Sequence, residues 1–242
     1  EKIIQHETIL KEIEASKKIS RFIRDPMLYY FSIFVSSTNF DILGIRVEGH
    51  HLSINVTVEK NNLISVTPNF FGANPALVKS GQNQGLRILD KEEDLSNEIF
   101  LSLKKDQLSR AIIYDEAPDD LITKADFQVL VDKEVGLSAD LMSNAQIKKL
   151  YDLIDIYINR NPISFSQKLS EQIKKFGKER IFFAWAGSPE LGKGNYYRIS
   201  TPSIYIEYDN TQDQANHIHS VMRFIDDDFG VNSLFEHYKN QH

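Results

Sequence analysis

Two histidines and two carboxylates near the end of the chain have a spacing that suits a chemical site. His217 and His219 stand two residues apart, as do Glu207 and Asp209 earlier in the chain, and both pairs lie in stretches that alternate polar and apolar residues. Side chains of a β-strand point alternately to opposite faces, so each pair would share one face of its strand. Two histidines placed in this way are typical ligands of Zn²⁺ or another first-row divalent metal, with a third histidine or a carboxylate completing the set. The stretch therefore predicts a metal site on one face of a sheet.

A second histidine pair, His50-His51, supplies candidates for the third ligand. On a continuous strand, His51 would share its face with polar Ser53 and Asn55, and it is the preferred third ligand. His50 would project among apolar side chains of the opposite face, so we expect a buried histidine with one satisfied hydrogen bond. His50 is therefore the least favoured of the four candidate metal ligands. Of the two neighbouring histidines, His51 is predicted to be the more accessible to solvent.

The loop between the two strands near the end of the chain determines which side chains face each other. If it folds symmetrically about Asp213, Asp209 lies opposite His217, and Glu207 lies opposite His219. Cβ atoms of such cross-strand pairs are about 4.5–5.5 Å apart. Three roles stay open for the two carboxylates: metal ligand, general base, or acceptor that orients a histidine. A surface cross-strand pair of modest energetic value is the purely structural alternative.

Two arginines are predicted on the same face as the histidines. With a tight turn between the first two strands of this region, Arg198 faces Tyr205, and Tyr196 faces Glu207. Arg223 continues the alternation on the histidine strand. Guanidinium groups bind carboxylates and phosphates through paired hydrogen bonds, so the two arginines favour an anionic substrate.

Two hypotheses from different classes account for these residues. The first is a metal-dependent enzyme, with hydrolysis as the preferred reaction, in which the metal activates water toward a small anionic or peptide-like substrate. Its candidate metal ligands are His50, His51, His217 and His219, and its candidate catalytic residues are Arg198, Glu207, Asp209 and Arg223. The alternative is a non-catalytic protein that binds a small acid or a peptide end in the same groove. Acid–base chemistry by a His–carboxylate pair without metal also stays open.

Composition narrows the possible partners. The chain has 242 residues, a formal net charge of −6 and no Lys/Arg stripe, which argues against nucleic-acid binding because a phosphate backbone needs a basic face. No apolar run approaches the ~18 residues of a membrane span. The absence of cysteine excludes disulfides, thiolate metal sites and cysteine nucleophiles. Composition does not predict the oligomeric state.

The beginning of the sequence leaves the compartment open. Glu1 stands where a methionine or a hydrophobic leader would be expected. This is compatible with a periplasmic or secreted protein whose leader was removed, with a cytoplasmic bacterial protein, or with a piece of a longer chain.

The segment Gly187–Gly194 comes close to a phosphate-binding loop. Its last position is glycine where Mg²⁺ coordination needs Ser or Thr, and it leads into a predicted strand. A phosphate cradle requires the N-terminus of a helix at this point, so the pattern argues against nucleotide hydrolysis.

The elements that must position these residues follow from the period of the apolar residues. Helical spacing predicts an N-terminal helix over residues 1–24, and alternating or β-branched stretches predict strands. After that helix we expect strands at Leu28–Val35, Ile45–Val58 and Leu63–Thr67, with loops at Ser36–Leu43 and Pro68–Gly85. The middle of the chain is predicted to be helical, with a helix that begins at Asp90, one at Lys105–Ala111, one from a Ser143-x-x-Gln146 capping box to Asn161, and one at Ser164–Phe176. A strand at Arg180–Ala186, three strands within Gly194–Phe224 and a short final helix complete the chain. This order predicts one α+β domain over residues 1–242, with a mixed, mainly antiparallel sheet built from N- and C-terminal strands and helices packed around it.

Five segments spread over most of residues 27–240 carry a resemblance to a known family. They are GHHLSINVTV (49–58), TPNFFGANPA (67–76), FAWAGS (183–188), YYRI (196–199) and EYDNTQDQANHIHSVMR (207–223). With them the chain resembles the domain-of-unknown-function 3500 family of bacteria and fungi, which has no assigned activity. The resemblance implies that the following residues belong to the family pattern: His50, His51, Asp209, Asn210, His217 and His219.

The chain also departs from that family. Members often carry Trp just before the GHH segment, where this chain has Ile42, Leu43 and Ile45, and Trp after the HIHS run, where it has Met222. The part before the first predicted strand is shorter than in typical members. The two missing tryptophans put an aromatic groove wall in doubt.

Overall fold

An eleven-stranded sheet forms the centre of the fold. The structure is a computed structural model that describes residues 2–18, 23–35 and 41–241. The strands are β1 (Tyr29–Val35), β2 (Ile42–Gly49), β3 (Leu52–Glu59), β4 (Asn62–Ser65), β5 (Asn69–Ala73), β6 (Ile112–Tyr114), β7 (Leu137–Ser138), β8 (Phe182–Gly187), β9 (Asn195–Ser200), β10 (Ile204–Thr211) and β11 (His217–Phe224). They lie in the order β1-β2-β3-β5-β11-β10-β9-β8-β6, with β4 paired to β3 and β7 paired to β8.

The two halves of the chain meet in the middle of this sheet. β5 pairs with β3 on one side and with β11 on the other, which joins the N-terminal strands to the C-terminal ones. Paired strands are antiparallel except β6 and β8, which are parallel. The predicted α+β domain with a mixed, mainly antiparallel sheet built from both halves is confirmed.

The described residues also form helices. They are α1 (Lys2–Ser16), α2 (Asp90–Leu101), α3 (Lys105–Ala111), α4 (Asn144–Ile158), α5 (Ile163–Lys174), the single turn α6 (Gln212–Ala215) and α7 (Val231–Gln241). The main apolar core forms where α2, α4 and α5 pack on one face of the sheet, and Ile204, Ile206 and Ile218 lie in it. No helix in the described ranges is both long and apolar enough to cross a bilayer.

The opposite face carries the candidate site residues and is partly covered by residues 115–136, which we call the covering segment. Its backbone groups at Ile122, Thr123 and Val135 hydrogen-bond to side chains that rise from β9 and β10. Tyr205 packs there with Val129 and Ile225 in a second, small apolar cluster. The covering segment thus turns an open sheet face into a wall of a cavity.

Several sequence predictions need correction. Pro68–Gly85 is not all loop, because β5 lies within it; its five residues stand between prolines, which hid a strand that pairs on both sides. Ile45–Val58 is not one strand but the hairpin of β2 and β3. The first helix ends at Ser16 and not at residue 24, because the chain leaves the helix in a turn where Lys18 has a φ of 56°. Residues 19–22 and 36–40 lie outside the described residues, and the predicted loop Ser36–Leu43 is wrong at Ile42 and Leu43, which belong to β2.

Candidate metal centre

His51 reaches the sheet face from a hairpin turn. Gly49 pairs with Leu52, so His50 and His51 are the two residues that connect β2 to β3, and His51 has a φ of 60°. This turn lacks the Asn, Asp or Gly residues that signal such hairpins, which is why the residue pattern indicated a continuous strand. The predicted accessibilities are wrong as well: His51 is 8% exposed, whereas the His50 side chain is 34% exposed.

A glycine on the neighbouring strand makes room for the His51 ring. A Cβ atom added to Gly72 on β5 would lie 2.5 Å from Cδ2 of His51. Such a separation is well inside van der Waals contact, so any side chain at this position would displace the ring. Gly72 also pairs with His219 on β11, and the two histidines are thereby brought to the same place.

The register of β10 and β11 differs from the prediction by two residues. Asp209 lies opposite His219, and Glu207 lies opposite Val221. The connection is not symmetric about Asp213, because Asp213, Gln214 and Ala215 are three successive residues with positive φ. A shift of two residues keeps every side chain on its predicted face, since the period of a strand is two.

The three histidines His51, His217 and His219 converge, as predicted. Nε2 of His51 lies 2.8 Å from Nε2 of His217, and one nitrogen from each of the three rings can be chosen so that all lie within 4.8 Å of one another. The ring of His219 is centred 4.7 Å from that of His217. The side chains of His217 and His219 are 13% and 16% exposed, so the cluster is open to solvent on one side.

Carboxylates hold the outer nitrogens of two of these rings. Asp213 Oδ2 lies 3.2 Å from Nδ1 of His217, and Asn74 donates to the same oxygen at 2.9 Å. Asp120 Oδ1 lies 2.8 Å from Nδ1 of His219. A carboxylate only accepts hydrogen bonds, so Nδ1 of each ring carries the proton and Nε2 keeps its lone pair.

The electrostatic environment keeps His51 and His217 neutral. Burial, together with the neighbouring imidazoles, lowers the pKa of His51 far below its ordinary value. Burial and then His219 lower the pKa of His217 to about 4. With Nδ1 of His217 protonated, His51 donates through Nε2 to Nε2 of His217. A neutral imidazole is the form that binds a metal.

Asp209 is a buried carboxylate beside the cluster. It has no exposed surface, and Thr211 Oγ1 donates to its two oxygens at 2.9 and 3.1 Å. Burial raises its pKa to about 7. One oxygen of Asp209, one of Asp120 and one nitrogen of His219 lie within 4.8 Å of one another. Burial opposes ionisation of Asp120 as well, but the hydrogen bonds from His219 and the Leu121 amide outweigh it and lower its pKa.

The structure places Glu207 and the two predicted arginines apart from the histidines. Glu207 accepts from the amides of Ile122 and Thr123 and from the Tyr196 hydroxyl. Tyr196 therefore does contact Glu207, although diagonally, because Arg198 is the residue directly opposite it. With no exposed surface, Glu207 secures the covering segment to the sheet.

Arg198 and Arg223 have the same structural role. Arg198 donates to the Tyr205 hydroxyl at 3.2 Å and to the Val135 carbonyl at 3.5 Å. Arg223 is 1% exposed and forms an ion pair with Asp228 at 2.6 Å, and its other nitrogens donate to carbonyls of the covering segment. Neither guanidinium presents a free edge to an anionic ligand at the histidines.

His50 lies behind the cluster and not in it. Its ring stacks on His51 with a centroid distance of 3.7 Å. Nδ1 of His50 lies 2.6 Å from Oε2 of Glu7, a buried residue of α1. His50 thus supports the His51 ring from behind and links it to α1.

Residue patterns missed the carboxylates that orient the histidines. Asp120 lies in an acidic loop, Asp213 was considered only as the centre of a turn, and Asn74 lies in one of the family motifs. The lengths of the intervening loops give no spacing that would pair Asp120 with His219, which is 99 residues away. Only the folded covering segment brings them together.

A cavity of about 640 Å³ opens beside His219 on the same face. Its floor is formed by β3, β5 and β11, and its other walls include Arg46, Asp120, Lys124 and Phe229. A volume of this size is in the range of small-molecule sites. The cluster therefore stands at one end of a space that can hold a ligand.

Comparison with known proteins identifies a family for this chain. The model of the family described as "Protein of unknown function (DUF3500)" matches residues 1–231. No curated protein and no solved structure matches the chain significantly.

Proposed function

The chain belongs to the DUF3500 family, and we propose that it is a metal-dependent enzyme, a hydrolase, which holds a divalent transition metal such as Zn²⁺ through His51, His217 and His219. The substrate enters from the cavity beside His219. This substrate is a small anionic or peptide-like molecule.

The observation that carries the proposal is the pair of carboxylates on the outer nitrogens. Asp213 at Nδ1 of His217 and Asp120 at Nδ1 of His219 fix the tautomer in which Nε2 is free to bind. Histidines that bind metals almost always donate their other N–H to a carboxylate, a carbonyl or water. Two histidines of one cluster each have such a carboxylate partner, and a groove that is merely polar would not need either pair.

The distances fit a metal after a small adjustment. Two Nε2 atoms bound to one tetrahedral Zn²⁺ at ~2.0–2.1 Å are about 3.3 Å apart. The corresponding atoms of His51 and His217 are 2.8 Å apart, joined by a proton that the metal would replace. His51 would then carry its proton on Nδ1. Three histidines with an open fourth position are the donor set of a catalytic site, whereas structural zinc sites are closed.

Protein groups near the cluster suit proton transfer. A bound metal would supply Lewis acidity and would lower the pKa of water in the open position. Asp209, with its pKa raised to about 7, can hold or release a proton near neutral pH, as a general acid or base must. Asp120 orients His219 and remains ionised.

The alternative function is a non-catalytic protein that binds a small ligand in the same cavity. The size of the cavity and its mainly apolar lining support this alternative as much as the enzyme. The two differ in whether the histidines hold a metal. A ligand-binding protein would keep its affinity in chelator, and an enzyme of the proposed type would lose its activity.

Metal content tests the proposal. The protein is purified without added metal, then dialysed against equimolar Zn²⁺, Mn²⁺, Fe²⁺ and Ni²⁺, and the bound metal is measured by elemental analysis. We expect about one ion per chain, and its loss in His217→Ala and in His219→Ala. His6→Ala is the matched control, because the hydrogen bond of His6 among the described residues goes to the Pro75 carbonyl and His6 is not in the cluster. Folded wild type without stoichiometric metal, or alanine variants that keep it, would refute the proposal.

A further inference from the structure

We propose that the cavity beside His219 binds an amphipathic carboxylate, whose apolar part lies on Phe70 and Val221 and whose carboxylate contacts Arg46. This inference deepens the proposed function and rests on it for the reaction. The binding itself depends only on residues that do not hold the metal.

Strand pairing shows how far apart the two ends of the cavity lie. His219 lies in one cross-strand row with Gly72, Val221 lies in the next row with Phe70, and Arg46 pairs with Asn55 one row further on. Same-face rows are two residues apart, or about 7 Å along a strand. The histidine row and the arginine row are therefore separated by about 13 Å at the level of the backbone.

The middle of the cavity is apolar. Val221 is buried and Phe70 half-buried, and the ring of Phe70 is centred 5.5 Å from that of His219. Leu121 of the covering segment and Phe229 also line the space. Burying apolar ligand surface here stabilises the complex, whereas a fully polar ligand would gain little from these side chains.

Positive charge is concentrated away from the histidines. Arg46 donates through Nε to Asn55, its guanidinium lies 5.7 Å from the ring centres of Phe34 and Phe229, and its contact with Glu48 is 3.7 Å long. The stacking and the Asn55 bond fix the guanidinium plane. Glu48 lies 3.7 Å from Nη1, and the described residues give Nη2 no ion pair or hydrogen bond.

Other charged groups line the same space. Arg223 is neutralised by Asp228. Lys124 is exposed, and the described residues give it no ion pair. Of the two lining carboxylates, Asp120 is held at the histidine end by His219, and Asp126 is exposed on the covering segment. Among the side chains that line the space away from the histidines, Arg46 and Lys124 outnumber Asp126, and Glu48, which contacts Arg46, does not line the space. This favours an anionic ligand end there.

Binding to the metal-free protein tests this inference separately from the proposed function. Titration calorimetry in chelator compares 4-phenylbutyrate with the neutral 4-phenylbutanamide. We expect the acid to bind about tenfold more tightly, as a charge-assisted hydrogen bond implies. Arg46→Gln should remove this preference, Arg46→Lys should retain part of it, and Arg110→Gln on exposed α3 should have no effect. Thermal unfolding of each variant verifies that it is folded.

The outcomes separate the two proposals. If the acid and the amide bind equally, or if neither binds at millimolar concentration, the inference is refuted even when the protein holds a metal. An acid preference that survives Arg46→Gln would also refute it. If the acid preference depends on Arg46 but no metal is found, the carboxylate site stands and the metal-dependent reaction does not.

Discussion

Gly72 leaves the space that the ring of His51 occupies: a Cβ atom at this position would lie 2.5 Å from Cδ2 of His51 and 3.0 Å from the carbonyl oxygen of Ile218. A backbone position on a central strand therefore determines where a candidate metal ligand can stand.

Gly72→Ala should accordingly impair metal binding without touching a ligand atom. The methyl group would displace the imidazole of His51, and we expect affinity for Zn²⁺ to fall at least about tenfold, as when supporting residues of metal sites are changed. The measurement is competition with a chromophoric chelator. Gly194→Ala is the matched control, since a Cβ there meets Thr211 at an ordinary 3.4 Å. Equal affinities of the two variants would contradict the role assigned to Gly72.

Asp120→Asn tests whether the carboxylate orients His219. An amide can donate as well as accept, so it no longer fixes the proton on Nδ1, and affinity for the metal should fall roughly 10–100-fold. Asp119→Asn changes the neighbouring residue, whose backbone carbonyl accepts from Gln212 and whose carboxylate has no hydrogen bond or ion pair among the described residues. This variant should bind the metal like the wild type. Unchanged affinity in Asp120→Asn would show that Asp120 is a surface partner of His219 and no more.

Alternation along the strands was sufficient to assign faces. His217 and His219 point to one face of β11, and the core residues Ile218 and Met222 point to the other face. This follows from the strand period of two and does not depend on the conformation of the preceding loop. The same property made the prediction robust to its own error: the register of β10 and β11 was wrong by two residues, and every side chain kept its face.

Register and turns depend on backbone conformations that residue patterns did not reveal. Three successive residues with positive φ, Asp213 to Ala215, set the β10–β11 pairing, and none of them is glycine. The turn at His50-His51 is equally free of the usual turn residues. Neither the pairing of Asp120 with His219 nor the role of Glu207 could be predicted, because both depend on how the covering segment, which has little regular structure, lies on the sheet.

Asp209→Asn should stabilise the metal-free protein, and the gain should depend on pH. The folded-state pKa of Asp209 is raised from 3.8 to about 7, so the folded state binds more protons than the unfolded state between these values, and the free energy of unfolding of the wild type falls as pH rises through this window. The variant lacks this penalty. The free energy of unfolding of the variant should equal that of the wild type near pH 3.5, exceed it by about 2–4 kcal/mol at pH 7.5, and keep this excess at higher pH.

Thermal unfolding in chelator at pH 3.5, 5.5 and 8 measures this difference. Asp106→Asn, a change in the exposed first turn of α3, serves as the control and should show no comparable gain between pH 3.5 and 8. An Asp209→Asn variant that is less stable than the wild type at pH 8 would mean that the carboxylate is ionised at little cost in the folded protein.

Glu207→Ala should destabilise the fold and leave the metal site intact, in contrast to a catalytic role. The change leaves the amides of Ile122 and Thr123 and the hydroxyl of Tyr196 without their acceptor, and a buried donor that loses its partner costs about 1–3 kcal/mol. We expect the free energy of unfolding in urea to fall by about 3 kcal/mol, given that several donors are affected. Glu207→Gln retains one acceptor oxygen, so its free energy of unfolding should fall less.

Zn²⁺ affinity, measured at a temperature where both variants are folded, should stay within about threefold of the wild type, because no atom of Glu207 belongs to the histidine cluster. A large loss of affinity with unchanged stability would return Glu207 to the candidate site and would mean that the covering segment is held by other contacts.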